Sequence, residues 1–265
     1  MGIKFEKWHG LGNDFIILFD DIATSDLAIK MCDRNFGIGA DGLFCPTKSD
    51  NADIAWKFFN SDGTIAQMCG NGIRCFAKFV KNHGFIDKNK FSVETLAGII
   101  TPEILENGNV LVDMGEPIVA PELIPVNADD PMDFEIQGFS ASAVSMGNPH
   151  CVIFTQEDSK ELALKYGAQI ETDLLFPQKT NVEFVNVLSQ SRIKMNVWER
   201  GCGITLACGT GACACTVVGV KKGLINRKCD VVLPGGVLNI NYNEEDNHVY
   251  MQGEAKCVFR GEFEA

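Results

Sequence analysis

The chain lacks the segments that carry a protein into or across a membrane. Among its 265 residues no apolar run is long enough to span a bilayer, and the start, MGIKFEKWHGLG, has no hydrophobic core like that of a signal peptide. Glu6 stands where an N-myristoylation signal requires Ser or Thr. No Asn-x-Ser/Thr acceptor occurs. These absences favour a cytoplasmic protein.

Positive charge is also scarce. The chain has 23 Lys and Arg against 35 Asp and Glu, a formal net charge of −12. An acidic surface repels nucleic acid and anionic membranes, so neither is expected as a partner. Hydrophobic residues make up 46% of the sequence, which is ordinary for a globular protein. The length allows one large domain or two ordinary ones, each with its own core.

Paired Cys-x-x-Cys motifs are absent although the chain has eleven cysteines. A long chain without a signal peptide has little use for disulfides, so the cysteines are expected to be free thiols. A zinc cluster of Cys202, Cys208, Cys213 and Cys215 is disfavoured, because residues two apart on a helix point in different directions. No metal is expected. Buried or incidental positions are the default for Cys32, Cys45, Cys75, Cys151, Cys213, Cys215, Cys229 and Cys257.

Short β-type runs separated by turn signals dominate the chain, and four helices are predicted among them. The helical segments are SDLAIKMCDR with Ser25 as N-cap, NGIRCFAKFVKNHG ending at Gly84, SKELALKYGAQ, and GACACTVVGVKKG ending at Gly223. The last is apolar on every side until Lys221, and such a helix belongs in a core. Many strands around two buried helices predict an α/β (α+β) fold in which each of two β-barrel-like sheets surrounds one helix.

A proline-rich stretch, GEPIVAPELIPVNADDP, lies near the middle of the chain and holds four of its nine prolines. It is the predicted linker between two domains. We place the N-terminal half at residues 1–115 and the C-terminal half at residues 116–255. Roughly the last ten residues are expected to pack back on the first half.

The two halves share an internal repeat. Cys-Gly-x-Gly occurs at Cys69 and again at Cys208, 139 positions later, each time at the head of an apolar helix. Gly-Asn pairs end at Asn13 and Asn148, 135 positions apart, and Asn60 and Glu199 each lie nine positions before their cysteine. Matching spacings at several points favour a duplication over chance similarity. We therefore expect two pseudo-symmetric domains.

A glycine-rich turn that opens a helix forms an anion site, because its N–H groups and the macrodipole favour negative charge. A thiol at that place is expected to have a lowered pKa. Two halves facing one cleft would hold a carboxylate between the helix ends, with its α-carbon between Cys69 and Cys208. One sulfur could then remove the α-proton while the other delivers a proton to the opposite face. No electron-sink cofactor is required.

Six segments resemble the diaminopimelate epimerase family in order and across essentially the whole chain. They are HGLGNDF, GIGADGL, FNSDGTIAQMCGNGIRCFAKF, SMGNPHCV, TNVEFV and ERGCGITLACGTGACA. The resemblance implies two pseudo-symmetric α/β domains with the active site in the cleft between them. It also implies a homodimer that interconverts LL- and meso-diaminopimelate, a small diamino diacid of lysine and peptidoglycan-precursor synthesis, without pyridoxal phosphate.

The same resemblance assigns roles residue by residue. Cys69 and Cys208 would be the acid/base thiols, and His150 and Glu199 would tune them. Glu199 would also pair the distal ammonium of the substrate. The substrate-binding residues implied are Asn13, Asn60, Gly70, Asn71, Asn148, Asn181, Glu199, Arg200, Gly209 and Thr210.

Three positions depart from the family pattern. Gly42 stands where some members carry Gln, Cys202 where Ala or Val is common, and Ile204 where Glu is common. The apolar Ile204 leaves open a second hypothesis, a racemase of histidine or another amino acid on the same scaffold. A third hypothesis, from another class, is a redox- or metal-sensing protein built on the cysteines.

Overall fold

The computed structural model describes residues 2–264, which divide into two compact units. One unit holds the chain up to Val112 and again from Gly253 onward, and the other holds Asp113–Gln252. Each combines an extensive β-sheet with two α-helices. The prediction of a mixed α/β fold with two sheet-rich domains is confirmed.

The first unit is built on a sheet whose strands hydrogen-bond in the order β18-β1-β2-β3-β4-β5-β6. Strands β2 and β3 run parallel and pair Phe15 with Gly42, and β4 returns antiparallel to pair Asn60 with Gly42. A further antiparallel pair, β7 with β8, follows β6. The bounds are β1 (Ile3–Gly10), β2 (Asn13–Leu18), β3 (Gly42–Thr47), β4 (Ile54–Asn60), β5 (Val93–Thr95), β6 (Gly98–Ile100), β7 (Glu103–Ile104), β8 (Val110–Asp113) and β18 (Lys256–Phe263).

Two helices accompany this sheet, α1 (Ser25–Cys32) and α2 (Gly70–Asn82). Helix α1 connects the parallel strands β2 and β3. The predicted N-cap Ser25 is wrong by one position: Thr24 has the extended backbone of a cap, and its hydroxyl accepts the N–H of Leu27 at 3.2 Å. Helix α2 ends as predicted, since Gly84 follows it with φ +72 and glycine readily takes that conformation.

Aromatic rings fill the space between α2 and the sheet. Phe44 stacks on Phe15 with centroids 4.7 Å apart and on Trp56 at 5.1 Å, and Phe76 of α2 meets the edge of Trp56 at 5.5 Å. Phe15, Phe44 and Phe76 are fully buried. These rings bury a large apolar area in fixed orientations, so they set where α2 begins relative to the ends of β2 and β3.

The second unit has strands hydrogen-bonded in the order β17-β16-β15-β13-β12-β11-β10-β9, with β14 paired to β13. Two of its strand pairs are parallel: β11 with β12, where His150 lies opposite Asn181, and β13 with β15. The bounds are β9 (Phe134–Ile136), β10 (Phe139–Ser145), β11 (Pro149–Phe154), β12 (Asn181–Ser189), β13 (Arg192–Glu199), β14 (Gly203–Ile204), β15 (Lys228–Leu233), β16 (Gly236–Tyr242) and β17 (Val249–Gly253). A short 3-10 helix spans Pro121–Leu123.

The helices of this unit are α3 (Ser159–Glu171) and α4 (Gly209–Lys221). Helix α3 connects β11 and β12, as α1 connects β2 and β3. Helix α4 is buried along most of its length, and Gly223 follows it with φ +69. The prediction that this charge-free segment lies in a core is confirmed. No helix within residues 2–264 is long and apolar enough to cross a membrane.

The cap of α1 allows a direct test. Replacing Thr24 with Ala removes the acceptor for the Leu27 N–H, so the free energy of unfolding should fall by about 1 kcal/mol. Ser25→Ala is the matched control, because Ser25 is already helical, and it should change stability by less than about 0.5 kcal/mol. Urea denaturation of both variants measures the difference. Equal losses at the two positions would contradict the Thr24 cap.

Candidate active site

Cys69 is itself the N-cap of α2. Its backbone is extended, at φ −143 and ψ 119, and its sulfur accepts the N–H of Gly72 at 3.4 Å. A Cβ on Gly72 would lie 2.7 Å from the Phe44 ring and 3.3 Å from the Cys69 Cβ. Only glycine therefore fits where the first turn passes between the thiol and the core. Gly70 and Asn71 are the first two helical residues, and N–H groups at that end point toward the sulfur's side of the helix.

Asn13 joins the sulfur to the first turn of α2. Its Oδ1 lies 3.5 Å from Cys69 Sγ and accepts the side-chain amide of Asn71 at 3.2 Å. Its own Nδ2 donates to Asp41 Oδ2 at 2.6 Å. The side-chain carbonyl of Asn13 is therefore held toward the thiol. Three residues predicted from the sequence, Asn13, Cys69 and Asn71, form one cluster in the first unit.

Charged residues that the sequence did not indicate hold this cluster in place. Arg74 is fully buried and donates to Asn71 Oδ1 at 2.9 Å and to the Gly70 carbonyl at 3.0 Å. Asp41, which orients Asn13, also pairs with Arg34 at 2.7 Å. Arg34 in turn pairs with Asp14 at 2.8 Å. Asn13 and Asn71 are thus anchored from opposite sides by fixed charges.

Asn60 ends β4, and its side chain donates to Thr64 Oγ1 at 2.9 Å instead of reaching the Asn13 cluster. Asn60 lies opposite Gly42, at the end of the antiparallel pair of β3 and β4. The structure explains the glycine at that departure from the family pattern. A Cβ on Gly42 would lie 2.6 Å from the Phe58 ring and 2.9 Å from the Phe59 carbonyl, so a larger residue would require both to move.

In the second unit Cys208 is the N-cap of α4, with φ −125 and ψ 111, and its sulfur accepts the N–H of Gly211 at 3.4 Å. Gly209 and Thr210 are the first helical residues, matching Gly70 and Asn71. The Thr210 hydroxyl lies 3.5 Å from the sulfur. The two cysteines therefore share one cap geometry. They differ in burial, since Cys208 is buried and Cys69 is half-buried.

A hydrogen-bond chain leads from Cys208 into the sheet. The side-chain amide of Asn148 donates to Thr210 Oγ1 at 3.4 Å, and Asn148 Oδ1 lies 3.1 Å from His150 Nε2. His150 Nδ1 lies 2.7 Å from Glu183 Oε1, and both side chains are fully buried. His150 thus reaches the thiol through Asn148 and Thr210. Glu183, at the far end of the chain, was not singled out from the sequence.

The surroundings of Cys208 overturn the expectation of a lowered thiol pKa. Burial, and then the carboxylates of Glu199 and Glu183, raise the pKa of Cys208 well above the ordinary value. Hydrogen bonds from Thr210 and Gly211 act in the opposite direction but do not prevail. One N–H from a helix end cannot offset the loss of water around a thiolate and two nearby negative charges. The raised pKa therefore favours the thiol form of Cys208.

The remaining predicted residues lie near the end of β13. The Thr205 hydroxyl donates to Glu199 Oε1 at 2.5 Å. Ile204 of β14 lies opposite Trp198 of β13 in the antiparallel pair. Asn181 binds backbone on both sides: its Nδ2 donates to the Pro149 carbonyl at 2.9 Å, and its Oδ1 accepts the Arg200 N–H at 2.9 Å. Arg200 itself is exposed, with one contact to the Gln178 carbonyl at 3.3 Å.

Most other cysteines are core residues. Burial raises the pKa of Cys32 and of Cys75 to about 12, and it raises the pKa of Cys151 and of Cys215 well above the ordinary value. Cys257 is exposed on β18. Among residues 2–264 no group of three or more His, Cys, Asp or Glu side chains has a metal-binding arrangement.

Of two site residues that the sequence analysis missed, Glu183 could have been found from its pattern, whereas Thr205 could not. Glu183 is a lone charge inside the apolar strand NVEFV, two positions after Asn181 and therefore on the same face of β12. It also lies 139 positions after Phe44, so the repeat itself marks a place where the halves differ in charge. Thr205 carried no such signal, because a threonine in a turn is ordinary.

The fold recurs in solved structures of low sequence identity. A phenazine biosynthesis protein of the PhzF family from Bacillus anthracis superposes with a TM-score of 0.71 at 15% identity, and each chain is fully covered. A probable proline racemase from Agrobacterium radiobacter K84 superposes with a TM-score of 0.70 at 13% identity, covering 98% of this chain and 92% of the other. The architecture is thus the two-domain α/β fold that those proteins also adopt.

Sequence comparison is more specific. The profile of the diaminopimelate epimerase family matches residues 5–120 and 142–258. Diaminopimelate epimerase of Carboxydothermus hydrogenoformans is 50% identical, covering 98% of this chain and 99% of its own length. The chloroplastic diaminopimelate epimerase of Oryza sativa subsp. japonica is 46% identical, covering 98% of this chain and 79% of its own length. The chain belongs to the diaminopimelate epimerase family, a group of isomerases independent of pyridoxal phosphate.

The charges around Asn13 predict an acid sensitivity. Burial alone would raise the pKa of Asp14, but hydrogen bonds from Arg34 and Lys7 outweigh it and hold that pKa at about 2, against 3.8 in the unfolded chain. A lowered folded-state pKa stabilises above the unfolded value and is lost as pH falls toward the folded one. Asp14 should therefore contribute about 2 kcal/mol at pH 5 that disappears between about pH 4 and pH 2.

Chemical denaturation of wild type and Asp14→Asn across this range measures that contribution. The two proteins should differ most at pH 5 and converge as pH approaches 2. A difference in the free energy of unfolding that does not change with pH would mean that the neighbours of Asp14 do not lower its pKa.

Proposed function

We propose that this protein inverts one α-carbon of LL-diaminopimelate to give meso-diaminopimelate, with Cys69 and Cys208 as the acid/base pair. The observation that carries the proposal is the shared geometry of the two thiols. Each cysteine caps a helix that begins with a Gly-x-Gly turn, and each sulfur accepts the N–H three residues on at 3.4 Å. Two equivalent sulfurs suit a reaction whose reverse exchanges their roles.

The proton inventory follows from that pair. In one direction a Cys69 thiolate takes the α-proton and becomes a thiol, while Cys208 gives its proton to the opposite face of the carbon and becomes a thiolate. The reverse reaction exchanges these states. The raised pKa of Cys208 supports its starting as the donor, because burial and two carboxylates keep the proton on its sulfur. The chain needs no second substrate, since the proton count of the enzyme and amino acid together is unchanged.

The reacting carboxylate is proposed to bind at the helix starts, through backbone N–H groups of Gly70, Asn71, Gly209 and Thr210. Negative charge moves onto its oxygens as the α-proton leaves. N–H groups fixed by a helix stabilise that charge without reorganising during the step. Asn13 is proposed to contact the reacting centre, which its position at 3.5 Å from the Cys69 sulfur supports.

The distal end of the substrate is proposed to bind Asn60, Asn148, Asn181, Glu199 and Arg200. Arg200 is exposed, and a guanidinium fork can bind the distal carboxylate with two hydrogen bonds. Glu199 would pair with the distal ammonium while Thr205 orients it. Asn181 acts through the backbone of Arg200, which it already holds. His150 and Glu199 are the proposed tuners of the thiols.

A role in lysine and peptidoglycan-precursor synthesis follows from this substrate. Assembly as a homodimer and a cytoplasmic location stay predictions from the sequence and its family resemblance.

Substitution of either thiol tests the mechanism. Cys69→Ala and Cys208→Ala should each lower the rate of inversion by at least about a hundredfold, the usual scale of one acid/base group. Inversion followed in deuterium oxide measures this, since product made by the wild type gains solvent deuterium at the α-carbon. Cys257→Ala, an exposed cysteine on β18, is the matched control. Full inversion by either active-site variant would refute the two-thiol mechanism.

A panel of amino acids in deuterium oxide tests the substrate. Diaminopimelate should exchange its α-proton far faster than histidine, lysine or glutamate, because only it offers both the distal carboxylate and the distal ammonium. Arg200→Gln should raise KM for diaminopimelate more than it lowers kcat, since Arg200 lies away from the sulfurs' hydrogen-bond chain. Turnover of histidine without turnover of diaminopimelate would identify the protein as a racemase of another amino acid.

A further inference from the structure

Glu183 is a buried carboxylate whose burial needs an explanation. Its side chain is fully buried within β12, and only Oε1 has a hydrogen-bond partner, the imidazole of His150 at 2.7 Å. Oε2 is buried with no hydrogen-bond partner among residues 2–264. Leaving a buried acceptor unsatisfied costs stability, so a strand this apolar would be more stable with a hydrophobic residue there. A retained cost of this kind suggests a role in the reaction.

The carboxylate lies against the reactive end of α4. A Cβ built on Gly211 would meet Glu183 Oε1 at 2.7 Å and Cys208 Sγ at 3.2 Å. The carboxylate and the sulfur therefore flank the same glycine of the first helical turn. Gly211 also supplies the N–H that the sulfur accepts. Glu183 thus lies near Cys208 both through space and through the His150–Asn148–Thr210 chain.

The first unit has no charge at the corresponding place. Phe44 lies 139 positions before Glu183, and a Cβ on Gly72 would meet the Phe44 ring at 2.7 Å. Phe15, which lies 135 positions before His150, stacks on Phe44 at 4.7 Å. One pair of equivalent positions is thus two phenyl rings beside Cys69, and the other is a carboxylate with an imidazole beside Cys208. The backbone frame is shared and the charge is not.

We propose that Glu183 is a positioning residue that makes the two thiols unequal: held in place by His150, its buried charge beside the first turn of α4 keeps Cys208 in the protonated, donating state in the resting enzyme. This deepens the proposed two-thiol reaction and rests on it for its catalytic meaning. The assignment of Cys208 as the first donor then follows from a strand residue that touches neither substrate nor sulfur through a direct hydrogen bond.

The hydrogen-bond chain links the carboxylate to the start of the helix. Glu183 Oε1 lies 2.7 Å from His150 Nδ1, and Asn148 Oδ1 lies 3.1 Å from His150 Nε2. The Asn148 amide donates to Thr210 Oγ1 at 3.4 Å. These contacts fix Glu183 relative to the first turn of α4, so its charge is held beside Cys208.

Through-space charge is how Glu183 acts on Cys208. The titratable groups around Glu183 and Cys208 are His150 and Cys151 on β11, Cys213 and Cys215 on α4, and Glu199 at the end of β13. The cysteines of this set are buried thiols, so Glu183 and Glu199 are the negative charges that oppose a thiolate at Cys208. Glu199 is half-buried and is proposed to meet the substrate, whereas Glu183 is enclosed and acts whether or not substrate is bound.

The ionisation of Cys208 in the substrate-free enzyme tests the proposal. Alkylation by iodoacetamide is followed at Cys208 by peptide mass spectrometry across a range of pH, and the midpoint of the rate reports the thiol while the plateau reports access. The wild-type midpoint should lie above the ordinary thiol value of about 8.5. In Glu183→Gln it should fall by about one pH unit or more, which raises the rate at pH 7.5 about tenfold.

Two further variants separate charge from structure. Glu183→Asp keeps the charge and should keep the midpoint near that of wild type, whereas a purely structural role would shift both variants alike. Glu6→Gln is the matched control, because Glu6 is also fully buried and hydrogen-bonded to a histidine, His83, at 3.0 Å, but belongs to the other unit. It should leave the Cys208 midpoint unchanged. If Glu183→Gln does not fold, a wild-type or Glu183→Asp midpoint at or below about 8.5 overturns the proposal.

Turnover provides the second readout. The alkaline limb of kcat/KM, in the direction in which Cys208 donates, should move to lower pH in Glu183→Gln by about the same amount as the alkylation midpoint, since kcat/KM reports free-enzyme groups. An unchanged midpoint in folded Glu183→Gln overturns the inference even if diaminopimelate is the substrate. A shifted midpoint without any turnover of diaminopimelate supports the role of Glu183 and counts against the proposed function instead.

Discussion

The contact on which both candidate half-sites depend is a cysteine sulfur that accepts the N–H of a glycine three residues later. It occurs at the start of α2 and of α4 at the same distance of 3.4 Å. Serine, threonine and aspartate cap helices better than cysteine does, so the sulfur is not there for stability. The contact requires an extended backbone at the cysteine and a glycine three residues later, where Phe44 or Glu183 leaves no room for a Cβ.

The sheets determine what stands beside each sulfur. Each unit has a parallel strand pair joined by a crossover helix, β2 with β3 and β11 with β12. Strand β2 begins at Asn13, and β11 begins directly after Asn148. Asn13 reaches the Cys69 sulfur directly, at 3.5 Å, whereas Asn148 reaches Cys208 through Thr210. The shared topology thus brings the same residue type near both thiols, and one side chain in the helical turn decides whether the contact is direct.

Much of this could be predicted from the sequence because it depends on local chemistry. Glycines after α2 and α4, the apolar character of α4 and the repeated Cys-Gly-x-Gly all act within a few residues. The cap of α1 shows the limit of that reading, since Thr24 and Ser25 are both good caps and only the chain direction before the helix selects between them. The pKa of Cys208 could not be predicted, because it depends on burial and on Glu183, which lies 25 positions earlier in another element.

Two of the differences between the halves lie where a charge can act on a sulfur. At positions 139 apart, Arg74 of α2 corresponds to Cys213 of α4, and Phe44 corresponds to Glu183. The first half therefore buries a cation one turn from its thiol, and the second buries an anion beside its own. In the two-thiol reaction proposed above, each direction starts from one thiolate and one thiol. Two identical sulfurs would carry the shared proton equally, whereas unlike charges at matched positions favour one arrangement while the helix starts stay the same.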